Sequence, residues 1–183
     1  MKRKGRGFAV WLTGLPSSGK SVVAAELNRL LAKNGFSTLI LDSDELRAHL
    51  TPHPSYTEDE RNWFYDIIVF LADLMTRNGV NVLIAATGSR QAYRDRARVQ
   101  IQHLAEVHLD CPVEVCRNRD PKGLWRRVAI GEIQTLPGAG TPYEAPATPD
   151  LKVDTSTMTI AEAARRIFDM LGKKGFLGGE TKA

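Results

Sequence analysis

The chain has 183 residues, of which 43% are hydrophobic, and this length and composition suit one compact domain with a substantial core. Its 25 basic and 21 acidic residues give a formal net charge of +4, a mixed surface that does not predict a nucleic-acid partner. No apolar run reaches the roughly 18 residues of a membrane-spanning helix, so we expect no membrane association and a cytoplasmic location.

Short β-branched runs alternate with amphipathic runs along the chain, a pattern typical of an α/β fold with a parallel sheet flanked by helices. The dense basic run at 1–7 precedes the first strand and is interpreted as a solvated tail. In chain order, we predict five strands at 8–13, 37–42, 80–86, 106–110 and 151–154, and helices at 20–33, 57–77, 91–103, from 112 onward, and at 159–171.

Two further segments have no clear strand or helix pattern. Residues 120–149 are rich in Pro, Gly, Thr and Arg, and we interpret them as an ordered but mobile lid within a single domain. Residues 172–183 are predicted to be a frayed tail.

The strongest chemical signal is the run GLPSSGKS at 14–21, which fits GxxxxGK followed by Ser or Thr and lies between a predicted strand and a predicted helix. Its glycines allow backbone amides to point inward around a phosphate, and a helix N-terminus favours the same negative charge. Lys20 would neutralise the β- and γ-phosphates, and Ser21 would supply an oxygen to Mg²⁺. The alternative is a glycine turn with a surface lysine. We predict a P-loop NTPase fold that binds ATP and Mg²⁺ through Gly14, Leu15, Pro16, Ser17, Ser18, Gly19, Lys20 and Ser21.

Two carboxylates follow the second predicted strand, where ligands bind in open α/β sheets. Of Asp42 and Asp44, one could orient Mg²⁺ through its waters while the other accepts a hydrogen bond from an attacking hydroxyl. Alternatively, Asp44 only caps a helix that begins at Glu45.

Basic residues also cluster in the predicted lid. Arg119, Lys122, Arg126 and Arg127 would place positive charge around a transferring phosphoryl group if this segment closes. The alternative is that these side chains solvate a surface, as most arginines do.

Several segments resemble the adenylylsulfate kinase family, over a span from the P-loop to about Thr155. RDPKGLW, GEI and PYEAP, at 119–125, 131–133 and 142–146, are similar to that family's RDPKGLY, GEI and PYE in order and spacing. VEVCRNRD at 113–120 resembles the segment before its lid, LDSDELR at 41–47 resembles its LDGDxxR, and TEDER at 57–61 resembles its SEEDR.

The resemblance implies an ATP-dependent kinase that phosphorylates the 3′-hydroxyl of adenylylsulfate, giving 3′-phosphoadenylylsulfate in sulfate assimilation. It implies that Asp44 helps activate this hydroxyl, that Arg47 and Arg61 hold adenylylsulfate, and that Arg119 lies against the ATP adenine. The family's FISP, whose serine is phosphorylated in some members, corresponds to 86–89 if a gap is allowed, which makes Ser89 the candidate serine; without a gap the position falls on Gly88. The catalytic residues would then be Lys20, Asp44 and Ser89, and the substrate-binding residues Asp42, Asp44, Arg47, Arg61, Lys122 and Leu136.

The sequence departs from the family on the acceptor side. Where a run like ENIRR is expected, the chain has Trp63, Phe64, Tyr65, Asp66 and Ile67. Asp66 would repel a sulfate or phosphate unless its side chain faces away. Leu136 replaces a phenylalanine that stacks on the base, and Gln134 replaces a frequent lysine.

These departures leave two other functions open: a kinase of the same fold acting on another small nucleotide or hydroxyl compound, and a non-catalytic ATP-binding module. The oligomeric state is also open. The aromatic run at 63–65 is compatible with a homodimer contact or with the core.

Overall fold

The computed structural model describes residues 5–178 and contains a five-stranded sheet in the order β2-β3-β1-β4-β5. All four strand pairings are parallel, which confirms the predicted α/β sheet. The strands are β1 (Ala9–Thr13), β2 (Thr38–Asp42), β3 (Asn81–Ala85), β4 (Leu104–Asp110) and β5 (Leu151–Asp154). The helices are α1 (Lys20–Lys33), α2 (Ser43–Leu50), α3 (Glu58–Arg77), α4 (Gln91–Gln100), α5 (Val113–Arg119), α6 (Leu124–Ala129) and α7 (Ile160–Lys173).

The core lies on both faces of the sheet because side chains alternate along each strand. Val10 and Leu12 of β1 face one way and join the cluster formed with α1 and α7. Ala9 and Trp11 face the other way, toward α3 and α4. Trp11 also donates a 3.0 Å hydrogen bond to the Ala86 carbonyl. The central strand that leads into the P-loop is therefore buried on both sides.

The start of α3 follows the predicted capping signal only in part. The Thr57 hydroxyl accepts a 3.3 Å hydrogen bond from the Glu60 amide, which satisfies one of the free amides of the first turn. The Glu60 carboxylate, however, turns to Ser55 and Tyr56 instead of closing a capping box on Thr57. The segment before α3 is thereby folded back onto the helix.

The lid segment contains a helix, α6, that the sequence did not predict. Its buried Trp125 packs with Leu136, Cys111 and Cys116 in a third small cluster. The Trp125 indole also donates to the Pro16 carbonyl at 3.3 Å. Packing over the P-loop thus stabilises a six-residue helix that is too short to be recognised from periodicity.

The two ends of the described chain are more ordered than predicted. The frayed tail predicted from Gly172 is wrong up to residue 178, because α7 runs to Lys173 and Phe176 packs on the core. The Phe176 ring lies 6.0 Å from Phe8 and 5.6 Å from His103, measured between centroids. At the other end, Gly7 is buried and donates to the Thr76 carbonyl. Residues 1–4 of the predicted basic tail and 179–183 of the predicted frayed tail lie outside the described range.

The aromatic run on α3 divides between core and surface. Phe64 and Tyr65 are buried, whereas Trp63 remains 47% exposed. Within residues 5–178, none of the helices combines the length and apolar character that crossing a bilayer requires.

Candidate active site

A cleft of about 970 Å³ opens at the carboxyl ends of the strands. Its walls come from the P-loop, the starts of α2 and α7, the first half of α3 and the lid segment. In parallel α/β sheets this edge is where ligands bind. The cleft therefore lies where the sequence placed the nucleotide site.

The P-loop has the tight geometry that its glycines allow. Gly19 has a φ of 99°, a left-handed conformation that side chains disfavour. A Cβ on Gly14 would meet the Ser18 hydroxyl at 2.6 Å and the Leu109 carbonyl at 2.7 Å. The Ser18 hydroxyl is buried and has no hydrogen-bond partner among residues 5–178. The loop thus closes around a small space that larger residues would fill.

Lys20 turns back onto its own loop. Its ammonium donates to the Gly14 carbonyl at 3.0 Å and to the Leu15 carbonyl at 2.8 Å. Burial lowers the pKa of Lys20 to about 8, although the Asp44 carboxylate opposes this shift. A polyanion in the cleft would stabilise the charged ammonium, so this lysine is poised to receive phosphates.

Ser21 and Asp42 are brought together, with the Ser21 hydroxyl donating to the Asp42 carboxylate at 2.6 Å. Asp42 also accepts a 2.8 Å hydrogen bond from the Asp44 amide and is the N-cap of α2. The reading in which Asp44 caps a helix starting at Glu45 is wrong, because α2 begins at Ser43 with Asp42 as its cap.

The same pair of oxygens fits Mg²⁺. Mg²⁺ prefers hard oxygen ligands and usually keeps several waters while it binds substrate phosphates. No group of three or more His, Cys, Asp or Glu suited to a metal ion occurs within residues 5–178. A hydroxyl beside a carboxylate is therefore suited to a phosphate-bound ion and not to a metal held by protein ligands alone.

Asp44 faces the lid across the cleft. It forms an ion pair with Lys122, and both side chains are more than half exposed. This contact joins two predicted site residues that are 78 positions apart in sequence. The structure therefore brings the end of β2 and the lid segment to one point.

Arg47 and Arg61 line the cleft but contact other parts of the protein. Arg47 pairs with Glu60 at 2.7 Å, and its guanidinium carbon lies 3.8 Å from the Phe64 ring centroid. Arg61 donates to the Tyr56 carbonyl at 3.0 Å and to the Thr135 carbonyl at 2.7 Å. Burial lowers the pKa of Arg61. Arg61 thus ties α3 to the lid segment.

The lid side of the cleft carries Arg119, Lys122, Arg127, Gln134 and Leu136. Arg119 donates to the Thr155 carbonyl and lies 3.6 Å from the Cys111 sulfur. Leu136 is buried in the cluster around Trp125. Arg126 is the one predicted lid cation that does not line the cleft. Most of the predicted positive charge therefore reaches the site.

Two candidates lie away from the cleft. Asp66 pairs with Arg96 of α4 and is absent from the cleft lining, so its charge faces away from the cleft and the expected repulsion does not arise. Ser89 is 1% exposed and is absent from the cleft lining. The Ser89 carbonyl accepts a 2.8 Å hydrogen bond from the Glu144 amide, which places this residue at a buried junction with the end of the lid segment.

The cleft wall also contains residues that sequence reasoning did not assign to the site, among them Tyr56, Tyr65 and Thr87. Tyr65 could have been found, because it lies four positions after Arg61 and shares its helix face. Thr87 follows β3 at the carboxyl edge, which is also a usable signal. Tyr56 has an unusual positive φ of 54° that nothing in the sequence predicts.

Comparisons with known proteins agree with this geometry. The family model described as "Adenylylsulphate kinase" matches residues 6–154. The adenylyl-sulfate kinase of Microcystis aeruginosa is 35% identical over 95% of this chain and 96% of its own length. That of Halothermothrix orenii is 36% identical over 96% of this chain and 95% of its own. The solved Mycobacterium tuberculosis APS kinase in complex with AMPPNP and APS superposes with a TM-score of 0.87 at 34% identity, covering 92% of this chain and 99% of the other.

With a family match over most of its length and full-length relatives above 30% identity, this chain belongs to the adenylylsulphate kinase family.

Proposed function

We propose that this chain transfers the γ-phosphate of ATP to the 3′-hydroxyl of adenylylsulfate at the described cleft. One observation carries the assignment of roles: Lys20, Asp44 and Lys122 approach one space between the P-loop and the lid. Family membership indicates the substrate class, and the approach of these three side chains to one space supports phosphoryl transfer at that point.

ATP would lie along the P-loop, with its phosphates against the backbone amides and Lys20. The ammonium would leave the Gly14 and Leu15 carbonyls for the phosphate oxygens. Ser21 and Asp42 would hold Mg²⁺, which would supply charge neutralisation at the β- and γ-phosphates. Preorganised positive charge is the main contribution a protein makes to a loose phosphoryl-transfer transition state.

Asp44 would accept a hydrogen bond from the acceptor hydroxyl and orient it toward the γ-phosphate. Its ion pair with Lys122 would open to admit the acceptor, which frees the carboxylate for the hydroxyl and the ammonium for the transferring phosphoryl group. Transfer in line needs only alignment, metal and charge stabilisation. The burial of Ser89 supports this direct route over a phosphoserine intermediate.

The altered acceptor wall is compatible with a nucleotide. Phe64 lies beneath the Arg47 guanidinium and holds it by a cation–π contact, which supports this arginine at the cleft wall. Leu136 and Gln134 remain in the cleft lining. Leu136 would contact the base by apolar packing in place of aromatic stacking.

The decisive experiment is a coupled assay of ADP release with ATP and Mg²⁺, comparing adenylylsulfate, AMP, other nucleotides and no acceptor. We expect release only with adenylylsulfate, together with a 3′-phosphorylated product. Lys20→Met is the matched control and should abolish this signal. Turnover with a different acceptor would instead support another small-molecule kinase, and ATP binding without any turnover would support a binding module.

The homodimer remains a prediction. The outer face of α3 exposes Trp63, Phe70 and Leu74, and a second copy would cover these side chains. Sedimentation analysis of the purified chain would give its mass in solution, and a monomer at all concentrations would contradict this prediction.

A further inference from the structure

Tyr65 is a buried side chain that reaches the cleft wall. It is 4% exposed and lines the cleft near Arg61 and Thr87.

The Tyr65 ring is fixed on three sides. It stacks on Tyr93 with centroids 4.3 Å apart, on Trp11 at 6.1 Å, and meets the edge of Phe64 at 5.8 Å. Such aromatic contacts hold a ring in one orientation. The position of the hydroxyl is therefore determined by the core, with little freedom left to the side chain.

The hydroxyl has one unused hydrogen-bonding function. It accepts a 3.0 Å hydrogen bond from the Gly88 amide, yet it donates to no residue within 5–178. A buried hydroxyl donor without an acceptor is costly. Burial raises the pKa of Tyr65, so the proton stays on the oxygen throughout the neutral range.

We propose that the Tyr65 hydroxyl is a specificity-determining donor that hydrogen-bonds an oxygen of the bound acceptor nucleotide. This inference rests on the proposed function, which places the acceptor against the wall formed by Arg47 and Arg61. Tyr65 shares that wall, while the ATP phosphates lie across the cleft on the P-loop. A donor whose orientation is already fixed by the core adds specificity because little side-chain entropy is lost when the ligand binds.

The test compares Tyr65→Phe with Tyr93→Phe. Tyr93 is a matched control, because its hydroxyl is also buried, has no hydrogen-bond partner in the described part of the chain, and belongs to a residue that does not line the cleft. Dissociation constants for adenylylsulfate and for AMPPNP would be measured by titration calorimetry, together with the melting temperature of each variant.

We expect Tyr65→Phe to weaken adenylylsulfate binding roughly ten- to hundredfold, the range for a hydrogen bond to a charged group, with AMPPNP binding unchanged. Tyr93→Phe should leave both constants unchanged. Unchanged adenylylsulfate binding in Tyr65→Phe would overturn the inference, as would an equal loss for both ligands, which would indicate a structural role. If the wild type bound no adenylylsulfate, the proposed function would fail together with the inference. If the wild type and Tyr65→Phe bound adenylylsulfate equally well, the inference alone would fail.

Discussion

The pKa of Lys20 makes ATP binding depend on pH in a way that can be calculated. In the free protein this pKa is lowered to about 8 by burial, and phosphates require the charged ammonium. At pH 7 about nine-tenths of the lysine is charged, and at pH 9 only about one-tenth is. The affinity for ATP should therefore fall about tenfold between these values, equivalent to about 1.4 kcal/mol.

Titration calorimetry with AMPPNP and Mg²⁺ at pH 7, 8 and 9 would measure this loss. At pH 8 binding should also take up about half a proton, seen as a dependence of the heat on the buffer. The second pKa of a phosphate monoester is about 6, so the charge of the nucleotide is nearly constant over this pH range. Lys20→Met should bind weakly at every pH without proton uptake. Equal wild-type affinity at pH 7 and pH 9 would refute the reasoning.

Two further variants test the catalytic carboxylate and the core. Asp44→Asn should lower turnover roughly 10²- to 10⁴-fold because an amide cannot attract the hydroxyl proton, while AMPPNP affinity stays constant; unchanged turnover would remove Asp44 from catalysis. Arg94→Met should reduce the free energy of unfolding by about 3 kcal/mol, the low end for a broken buried pair, since the buried Glu106 carboxylate loses a partner 2.8 Å away but keeps its ion pair with Arg98. Chemical denaturation would measure this loss. Arg90→Met is the exposed control and should cost less than about 1 kcal/mol. Equal losses in the two variants would show that the buried ion pair stabilises the fold no more than an exposed one.

The P-loop and its flanking elements could be predicted because their signals are local. A buried strand, a glycine turn and an amphipathic helix follow one another in sequence, and α1 begins and ends at the predicted residues. The lid differed because its structure depends on distant partners. The helix α6 is held by Trp125 packing against Leu136 and over Pro16, and no periodicity in six residues reveals such contacts.

The acceptor wall shows where sequence reasoning could have gone further. An α-helix turns about 100° per residue, so Tyr65 lies about 40° from Arg61 and Asp66 about 140° from it. Helical geometry alone therefore places Tyr65 on the cleft side and turns Asp66 away. The hydrogen bond from Arg61 to the Thr135 carbonyl, by contrast, joins segments 74 residues apart and could come only from the tertiary structure.

The stacking of Phe176 on Phe8 and His103 has a practical consequence for attaching the protein to other molecules. Phe8 immediately precedes β1 and His103 immediately precedes β4. The two ends of the described chain therefore meet at the amino ends of the strands, opposite the nucleotide cleft at their carboxyl ends. A five-residue strand spans about 16 Å, which separates a tether at either end from the bound phosphates. Immobilising this chain through a linker at residue 5 or residue 178 should leave the cleft open to substrate.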